Sequence, residues 1–301
     1  ENRLELLSQL GDPLEILNRV IKWEKFRSVL NQGSRKEDTG KGGRPSYDVV
    51  MMFKILVLQR LYNLSDDQTE YQINDRMSFM RFLGINLCEK VPDAKTIWKF
   101  KNDLAETFVD APRQRNSRDE NKKIKNGVIP EEWEKPENKS KLAQKDIDAD
   151  WTKKNGERHF GYKDHVKCDA DSKLITNYSV TSASVHDSQR CLVFIGQEDE
   201  VLYADSAYSG KPIALALPEN CKNQICEKGY RNSPLTSEQK MNNRRKSRIR
   251  CRIEQIFGFM TGAMHGITIR SIGITRAWMN IGITNLVYNF CRYSYLKRAS
   301  A

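Results

Sequence analysis

Apolar residues recur at helical spacing through the first third of the chain. The positions are Leu4, Leu7, Leu14, Leu17, Ile21 and, after a polar, Gly-rich break at 32–46, Val49, Met52, Phe53, Leu56 and Val57. This spacing predicts amphipathic helices that share a core. Ser65 and Asp93 precede two further helical stretches and are typical N-caps. We therefore expect an all-helical N-terminal domain over residues 1–106, and its short helices leave room for a helix-turn-helix.

The pattern changes after residue 106. Thr107–Ala111 is a short β-prone run that Pro112 stops. The following stretch, to about residue 150, is highly charged and poor in apolar residues. Its composition predicts a charged, flexible insertion at about 113–150.

Alternating apolar positions then predict β-structure. Arg158–Cys168 and Leu174–Thr181 flank the turn sequence Asp169–Ser172, as in a β-hairpin. Val201–Asp205 reads as a strand that ends in a carboxylate, and Gln224–Cys226 reads as another strand after an intervening helix. These elements predict the α/β class, with a mixed sheet flanked by helices.

The last stretch, 236–298, is helical again. One apolar stripe consists of Ile249, Ile253, Ile256, Phe257 and Met260. The remaining faces of the same helix are crowded with basic side chains, namely Arg244, Arg245, Lys246, Arg248, Arg250 and Arg252. The pattern predicts a very basic amphipathic helix. We assign residues 107–301 to a second domain.

The charge is concentrated rather than spread. The chain of 301 residues has a net charge of +11, yet residues 222–301 hold 15 Lys and Arg against three carboxylates, a net +12. The preceding 221 residues therefore carry about −1. A solvated basic face is one interpretation; because a uniform surface would spread its charge, a nucleic-acid partner explains the pattern better.

Two carboxylates attract attention in this basic setting. Glu254 is the one acid among the 63 residues from Gln239 to Ala301, and it follows Arg250 by one helical turn. Asp205 ends an apolar strand, where open α/β sheets place their ligands. An ion pair between Arg250 and Glu254, and a helix cap at Asp205, are the plainer interpretations. The sharper hypothesis is that Asp205 and Glu254 bind Mg²⁺ beside a phosphate-binding surface.

Other candidate groups give weaker signals. His159, His165, His186 and His265 are scattered and form no metal-ligand or triad spacing, so we expect structural roles. Seven cysteines without a C-x-x-C pair indicate neither a disulfide framework nor a zinc site. The N-terminus lacks the layout of a secretory signal, and no apolar run reaches 18 residues. We expect a cytoplasmic protein without a membrane partner.

Ordered sequence blocks along nearly the whole chain resemble bacterial insertion-sequence transposases of the insertion-sequence-five family. The blocks are Gly43–Pro45, Asp48–Lys54, Asp75–Gly84, Pro92–Trp98, Trp151–Lys154, Gly161–His165, Val185–Ser188, Tyr203–Tyr208, Glu227–Arg231 and Arg252–Gly258. The resemblance implies an RNase H-like catalytic domain with a DDE triad and cleavage and joining of DNA with Mg²⁺ or Mn²⁺. It also implies recognition of terminal inverted repeats and of target DNA, by a homo-oligomer on DNA.

Carried over residue by residue, the resemblance places the second acid at Asp205 and the third at Glu254. Arg250 resembles the family's basic companion, which would contact DNA phosphate; Arg244, Arg245, Arg248 and Arg252 extend this DNA-binding surface.

The first acid is where the chain departs from the family. The segment that carries it is missing, because Lys101–Glu106 joins directly onto Thr107–Pro112. Aligned on Thr107, the catalytic position falls on Ala105. Asp110 lies five residues further on, so in a regular strand its side chain would point to the opposite face, and it could serve only through a register shift.

The sequence thus predicts a DNA transposase, in a deleted and catalytically impaired copy. Two alternatives remain. One is a metal-dependent nuclease of the same fold, which would cut DNA without joining it. The other is a non-catalytic, repressor-like DNA-binding remnant of a transposase.

Overall fold

The computed structural model of the chain describes residues 2–33, 47–103, 116–126, 128–138, 140, 142, 144–154, 156–186 and 188–300. The chain divides into two compact units. The first unit consists of Glu1–Asp110 together with Met260–Ala301, and the second is Ala111–Phe259. The C-terminal segment therefore packs with the N-terminal helices. The division into functional domains, 1–106 and 107–301, stays a prediction.

The N-terminal part of the first unit is helical, as the apolar spacing indicates. Its α-helices are α1 (Asn2–Gln9), α2 (Pro13–Val20), α3 (Arg27–Gly33), α4 (Val49–Leu61), α5 (Asp66–Asp75), α6 (Met77–Leu83) and α7 (Ala94–Asp103). A 3₁₀ turn, Trp23–Phe26, leads into α3.

Local capping explains where these helices begin. The Gln68 backbone N–H donates to Ser65 Oγ at 3.1 Å, and the Ser65 N–H donates to Gln68 Oε1 at 3.0 Å, a reciprocal capping box. The Thr96 N–H donates to Asp93 Oδ1 at 2.7 Å. The helix starts predicted at Ser65 and Asp93 are confirmed. Asp48 caps α4; the preceding block, Gly43–Pro45, lies outside the described residues.

The second unit combines helices with short strands. Its elements are α8 (Arg118–Lys125), α9 (Glu131–Glu134), β1 (Asp150–Lys154), β2 (Glu157–Cys168), β3 (Ile175–Ser182), α10 (Ser188–Phe194), β4 (Val201–Leu202), α11 (Lys211–Ala216), β5 (Lys222–Asn223), α12 (Ser237–Arg250) and most of α13 (Arg252–Gly262). The α/β class is confirmed.

The described strands form two sheets, where the sequence predicted one mixed sheet. The strands β1, β2 and β3 make an antiparallel sheet in that order, while β4 and β5 make a separate parallel pair. The three-stranded sheet connects to the parallel pair through α10, and no backbone strand pairing joins the two sheets in the described ranges. The β-prone run 107–111 lies outside the described residues.

The predicted hairpin is confirmed in β2 and β3. Its turn is closed by Asp169 Oδ1, which accepts hydrogen bonds from the Ser172 N–H at 2.7 Å and the Ser172 hydroxyl at 2.5 Å. These bonds help to keep the pKa of Asp169 below its usual value. His165 is buried in the sheet, and its Nε2 lies 2.7 Å from Thr181 Oγ1.

The charged insertion is more ordered than its composition predicts. Trp133 in α9 is completely buried, and its indole N–H donates to Glu120 Oε1 at 2.9 Å. The Lys145 ammonium lies 5.0 Å from the centre of the same ring. One large aromatic side chain therefore organises the described part of this segment, because it offers apolar area, a hydrogen-bond donor and a face for a cation.

The last helix, α14 (Ile274–Ala299), completes the core of the first unit. The Phe290 ring lies 5.4 Å from Trp23 and 5.7 Å from Phe26, centroid to centroid. Val287 and Ile281 are also buried. The N-terminal helices and the C-terminal helix thus share one hydrophobic core, although some two hundred residues separate them along the chain.

We predict that Phe290→Ala lowers the free energy of unfolding by about 3–5 kcal/mol, because it removes a buried ring from the aromatic cluster. Urea denaturation followed by far-UV circular dichroism measures the loss. Tyr295→Ala is the matched control, since Tyr295 lies on the same helix and is 61% exposed. Equal, small effects of both substitutions would show that α14 is not part of this core.

Candidate functional site

Backbone pairing between two parallel segments brings Asp205 to the site. The pairing of β4 with β5 continues beyond both strands through hydrogen bonds from Gln224 N to Leu202 O (2.8 Å) and from Cys226 N to Ala204 O (3.0 Å). Asp205 follows directly after this ladder. It therefore lies at the carboxyl end of a parallel strand pair, as the sequence predicted, although β4 itself ends at Leu202.

Asp205 is held in place as the cap of a 3₁₀ turn, Ser206–Tyr208. Its Oδ1 accepts hydrogen bonds from the Ser206 hydroxyl at 3.0 Å and the Ala207 N–H at 3.3 Å. Partial burial raises the pKa of Asp205, but these hydrogen bonds and the charge of Arg250 together lower it below its usual value. The capping role considered as an alternative is thus real, and it leaves a half-exposed carboxylate.

The basic helix α12 begins at a capping box and docks through the side chains of Asn243 and Lys246. Thr236 and Gln239 form a capping box. Asn243 Oδ1 accepts from the Glu227 N–H at 2.9 Å, and Asn243 Nδ2 donates to the Glu227 carbonyl at 3.0 Å. One turn later, Lys246 Nζ donates to the Ile225 carbonyl at 2.9 Å. These bonds place α12 against the segment that pairs with the strand of Asp205.

Arg250 connects the two candidate acids. It is the last residue of α12, and after a turn at Cys251 the chain continues into α13. Arg250 Nη2 donates to Glu254 Oε1 at 2.9 Å, while its Nη1 lies 3.9 Å from Asp205 Oδ2. The structure therefore brings Asp205, Arg250 and Glu254 together. The ion pair between Arg250 and Glu254, one of the alternatives from the sequence, is also present.

Two neighbouring cavities lie along this face of α12. One, of about 360 Å³, is lined by Asp205 and Arg250 among other residues. The other, of about 530 Å³, is lined by Lys240, Arg244 and Arg248. They share Leu235, Asn243 and Ser247 as a common wall. A pocket of mixed charge, lined by Asp205, Glu227, Lys228 and Arg250, thus adjoins a basic pocket on one helix.

The five arginines predicted to bind DNA fall into two groups. Arg244, Arg245 and Arg248 are exposed and have no hydrogen-bond or ion-pair partner in the described part of the chain. Arg250 contacts the acid pair, and Arg252 Nη1 lies 3.5 Å from Asp171 Oδ1. The first three are therefore available to an external anion.

Among the described residues, the site offers two carboxylates, which are too few for a two-ion metal centre. Such a centre needs a further acid that bridges both ions. Asp110 and Ala105, the sequence candidates for that position, lie outside the described residues. Within the described ranges, no group of three or more His, Cys, Asp or Glu side chains could hold a metal ion. What the site offers is two carboxylates that share one guanidinium.

Sequence reasoning overlooked Asn243 and Ser247. With Arg250 they follow the series i, i+4, i+7, which is a polar stripe on one face of α12. That spacing was the available signal. The role of Glu227 could not be found in this way, because it contributes backbone atoms to the Asn243 contact.

Family models match both parts of the chain. Residues 1–103 match the model described as Transposase domain (DUF772), and residues 106–290 match the model described as Transposase DDE domain. Because the second match covers more than half of the chain, the protein belongs to the DDE transposase family. No solved structure matches it. In the part of the chain that the structure describes, no helix has the length and apolar character needed to cross a membrane.

We predict that Asn243→Ala loosens α12 from the strand pair at a cost of about 1–3 kcal/mol, because it leaves two partly buried backbone groups of Glu227 without partners. Hydrogen exchange measured by mass spectrometry should show faster exchange over 225–229. Asn242→Ala is the control, since Asn242 has no partner among the described residues. Unchanged exchange in Asn243→Ala would remove the proposed docking role.

Proposed function

We propose that the protein is a DNA-binding transposase of the insertion-sequence-five type that grips the DNA backbone with α12 and is impaired in strand cleavage. The observation that carries this proposal is that the cavity lined by Asp205 and Arg250 shares a wall with the cavity lined by the unpaired Arg244 and Arg248 on α12. A DDE transposase must hold phosphodiesters next to its acids, and this arrangement supplies both sets of groups.

The charge of α12 supports contact with the phosphate backbone. Arg244, Arg245 and Arg248 have no acidic partner among the described residues, so a polyanion can neutralise them without breaking ion pairs in the protein. Such contacts position a protein on DNA but carry no sequence information. We propose that specificity for terminal inverted repeats comes instead from the helical domain of residues 1–106, which matches a transposase domain of its own.

From the family's chemistry we propose four further features of this protein. They are an RNase H-like arrangement of the second domain, the use of Mg²⁺ or Mn²⁺, action on target DNA and assembly of a homo-oligomer on DNA. Transposase DDE domains generally use divalent metals, but Asp205 and Glu254 by themselves supply too few donor atoms for a two-ion centre.

The second part of the proposal is that catalysis is impaired. The Arg250 guanidinium, which Asp205 and Glu254 share, supports it. With Ala105 at the position of the first acid, the chain lacks the bridging carboxylate, and the position of Arg250 suits neutralisation of the remaining pair. A repressor-like role, in which the protein occupies transposon ends without cutting them, follows as the alternative that this contact supports. A nuclease has no such support.

We predict that Arg244→Gln, Arg245→Gln and Arg248→Gln together weaken DNA binding and flatten its salt dependence. Each lost phosphate contact removes about 0.9 from the slope of log K against log salt concentration, so the triple variant should lose roughly 2.7. Fluorescence anisotropy with a duplex, over a range of salt concentrations, measures the slope.

The control for this prediction removes the same charge elsewhere in the second unit. Lys122→Gln, Lys123→Gln and Lys135→Gln alter three exposed lysines outside α12. Their triple variant should keep most of the wild-type slope. Equal slopes for the two triple variants would reject α12 as the DNA-binding helix.

We further predict little or no cleavage of transposon-end DNA by this chain with Mg²⁺ or Mn²⁺, because the bridging acid is absent. Restoring the missing segment with its Asp should rescue cleavage, as seen on a denaturing gel with end-labelled DNA. Robust cleavage by the unaltered chain, lost in Asp110→Ala, would instead show that Asp110 has taken over. Cleavage that survives Asp205→Ala would contradict the assignment of the acids.

A further inference from the structure

Arg250 occupies an unusual position for a predicted DNA-binding arginine. Its two terminal nitrogens face different carboxylates, with Nη2 at 2.9 Å from Glu254 and Nη1 at 3.9 Å from Asp205. Arg244, Arg245 and Arg248 on the same helix have no partner among the described residues. The guanidinium of Arg250 thus faces the two carboxylates, and the Arg250 side chain is only 30% exposed.

The acid pair poses an electrostatic problem for a protein that binds a polyanion. Asp205 and Glu254 are exposed by 52% and 62%, so their charges face the space that DNA phosphates would enter. Like charges that approach within a few ångströms repel unless a cation lies between them. In a complete metal centre bound ions would supply that cation, but among the described residues the acid pair has no further acid that would complete one.

We propose that Arg250 is a built-in counter-ion, which neutralises Asp205 and Glu254 so that this face binds DNA without a divalent cation. The DNA part of this inference rests on the proposed function; the counter-ion part rests on the contacts alone. Arg250 acts through the two carboxylates and is therefore a positioning residue. A guanidinium suits this role, because its planar fork presents N–H groups in two directions, which an ammonium group on a lysine does less well.

The position of Arg250 is fixed by the rest of the site. The Asn243 and Lys246 contacts anchor α12 upstream, and the ladder bond from Cys226 to Ala204 anchors the strand of Asp205. Arg252 offers a matched comparison two residues away. It also lies near one carboxylate, Asp171, but that side chain is 99% exposed and lies 3.5 Å away. Replacing Arg252 removes the same charge without uncovering the acid pair.

The first test measures metal binding by the full chain without DNA. Mn²⁺ is titrated and its free concentration is followed by electron paramagnetic resonance. Without the Arg250 guanidinium, the carboxylates of Asp205 and Glu254 have no positive charge between them. The Arg250→Gln variant should therefore bind Mn²⁺ about tenfold more tightly than the wild type or the Arg252→Gln variant. Arg250→Lys should fall between. Equal Mn²⁺ affinities for Arg250→Gln and Arg252→Gln would overturn the counter-ion role.

The second test measures DNA affinity with EDTA and then with added Mg²⁺. In EDTA, Arg250→Gln should weaken binding about tenfold, because the acids are then uncovered. Mg²⁺ should restore the affinity of Arg250→Gln but not that of Arg252→Gln. Adding Asp205→Asn and Glu254→Gln to Arg250→Gln should restore binding in EDTA. Loss of affinity that neither Mg²⁺ nor removal of the acids repairs would mean that Arg250 contacts DNA directly, and would overturn the proposal.

The two tests also separate the two proposals. A wild-type chain that fails to bind DNA at all would contradict the proposed function, yet the Mn²⁺ comparison would still decide whether Arg250 is the counter-ion. Thermal melts by circular dichroism confirm that each variant is folded before either measurement. A melting point shared by Arg250→Gln and Arg252→Gln shows that any difference in Mn²⁺ affinity comes from the site.

Discussion

Two hydrogen bonds between the Asn243 side chain and the Glu227 backbone determine where the basic helix lies on the parallel strand pair. The Lys246 bond to the Ile225 carbonyl holds the same helix one turn later. Because α12 is held there, its last residue, Arg250, lies beside Asp205, although the two are about forty-five residues apart in the sequence. Glu254 follows Arg250 by one helical turn. An asparagine suits this role, since its amide carries both a donor and an acceptor and can satisfy both backbone groups of one residue.

Local physics made much of the fold predictable. Ser65, Asp93 and the Asp169 turn act through hydrogen bonds to residues within a few positions, so their sequence patterns suffice to locate them. The partner of an amphipathic helix is different. The sequence predicts a helix in the last stretch of the chain but not the partner against which that helix packs, and only the structure shows Phe290 packed on Trp23. The short helices around Trp133 escaped prediction for the same reason, because one buried ring outweighs a charged composition.

The sequence identified Glu254 by its rarity and Asp205 by its position at a strand end. It did not show that both carboxylates face the same arginine. A single carboxylate in a basic stretch and a carboxylate at a strand end both drew attention to the site. Neither pattern indicates that one arginine lies between them. The structure divides the basic side chains of this region by their partners: Arg244, Arg245 and Arg248 have none among the described residues, whereas Arg250 and Arg252 are engaged. Counting charges alone would treat all five alike.

For a member of the DDE transposase family, we propose that this division separates binding DNA from cutting it. On that proposal the unpaired arginines serve the first task, and the acid pair, which faces Arg250, is poorly suited to the second. The most direct measurement of this claim is an anomalous difference map from crystals soaked in MnCl₂. We expect no peak between Asp205 and Glu254, with the Arg250 guanidinium still in contact with both carboxylates. A Mn²⁺ peak between the two acids, with Arg250 displaced, would contradict it.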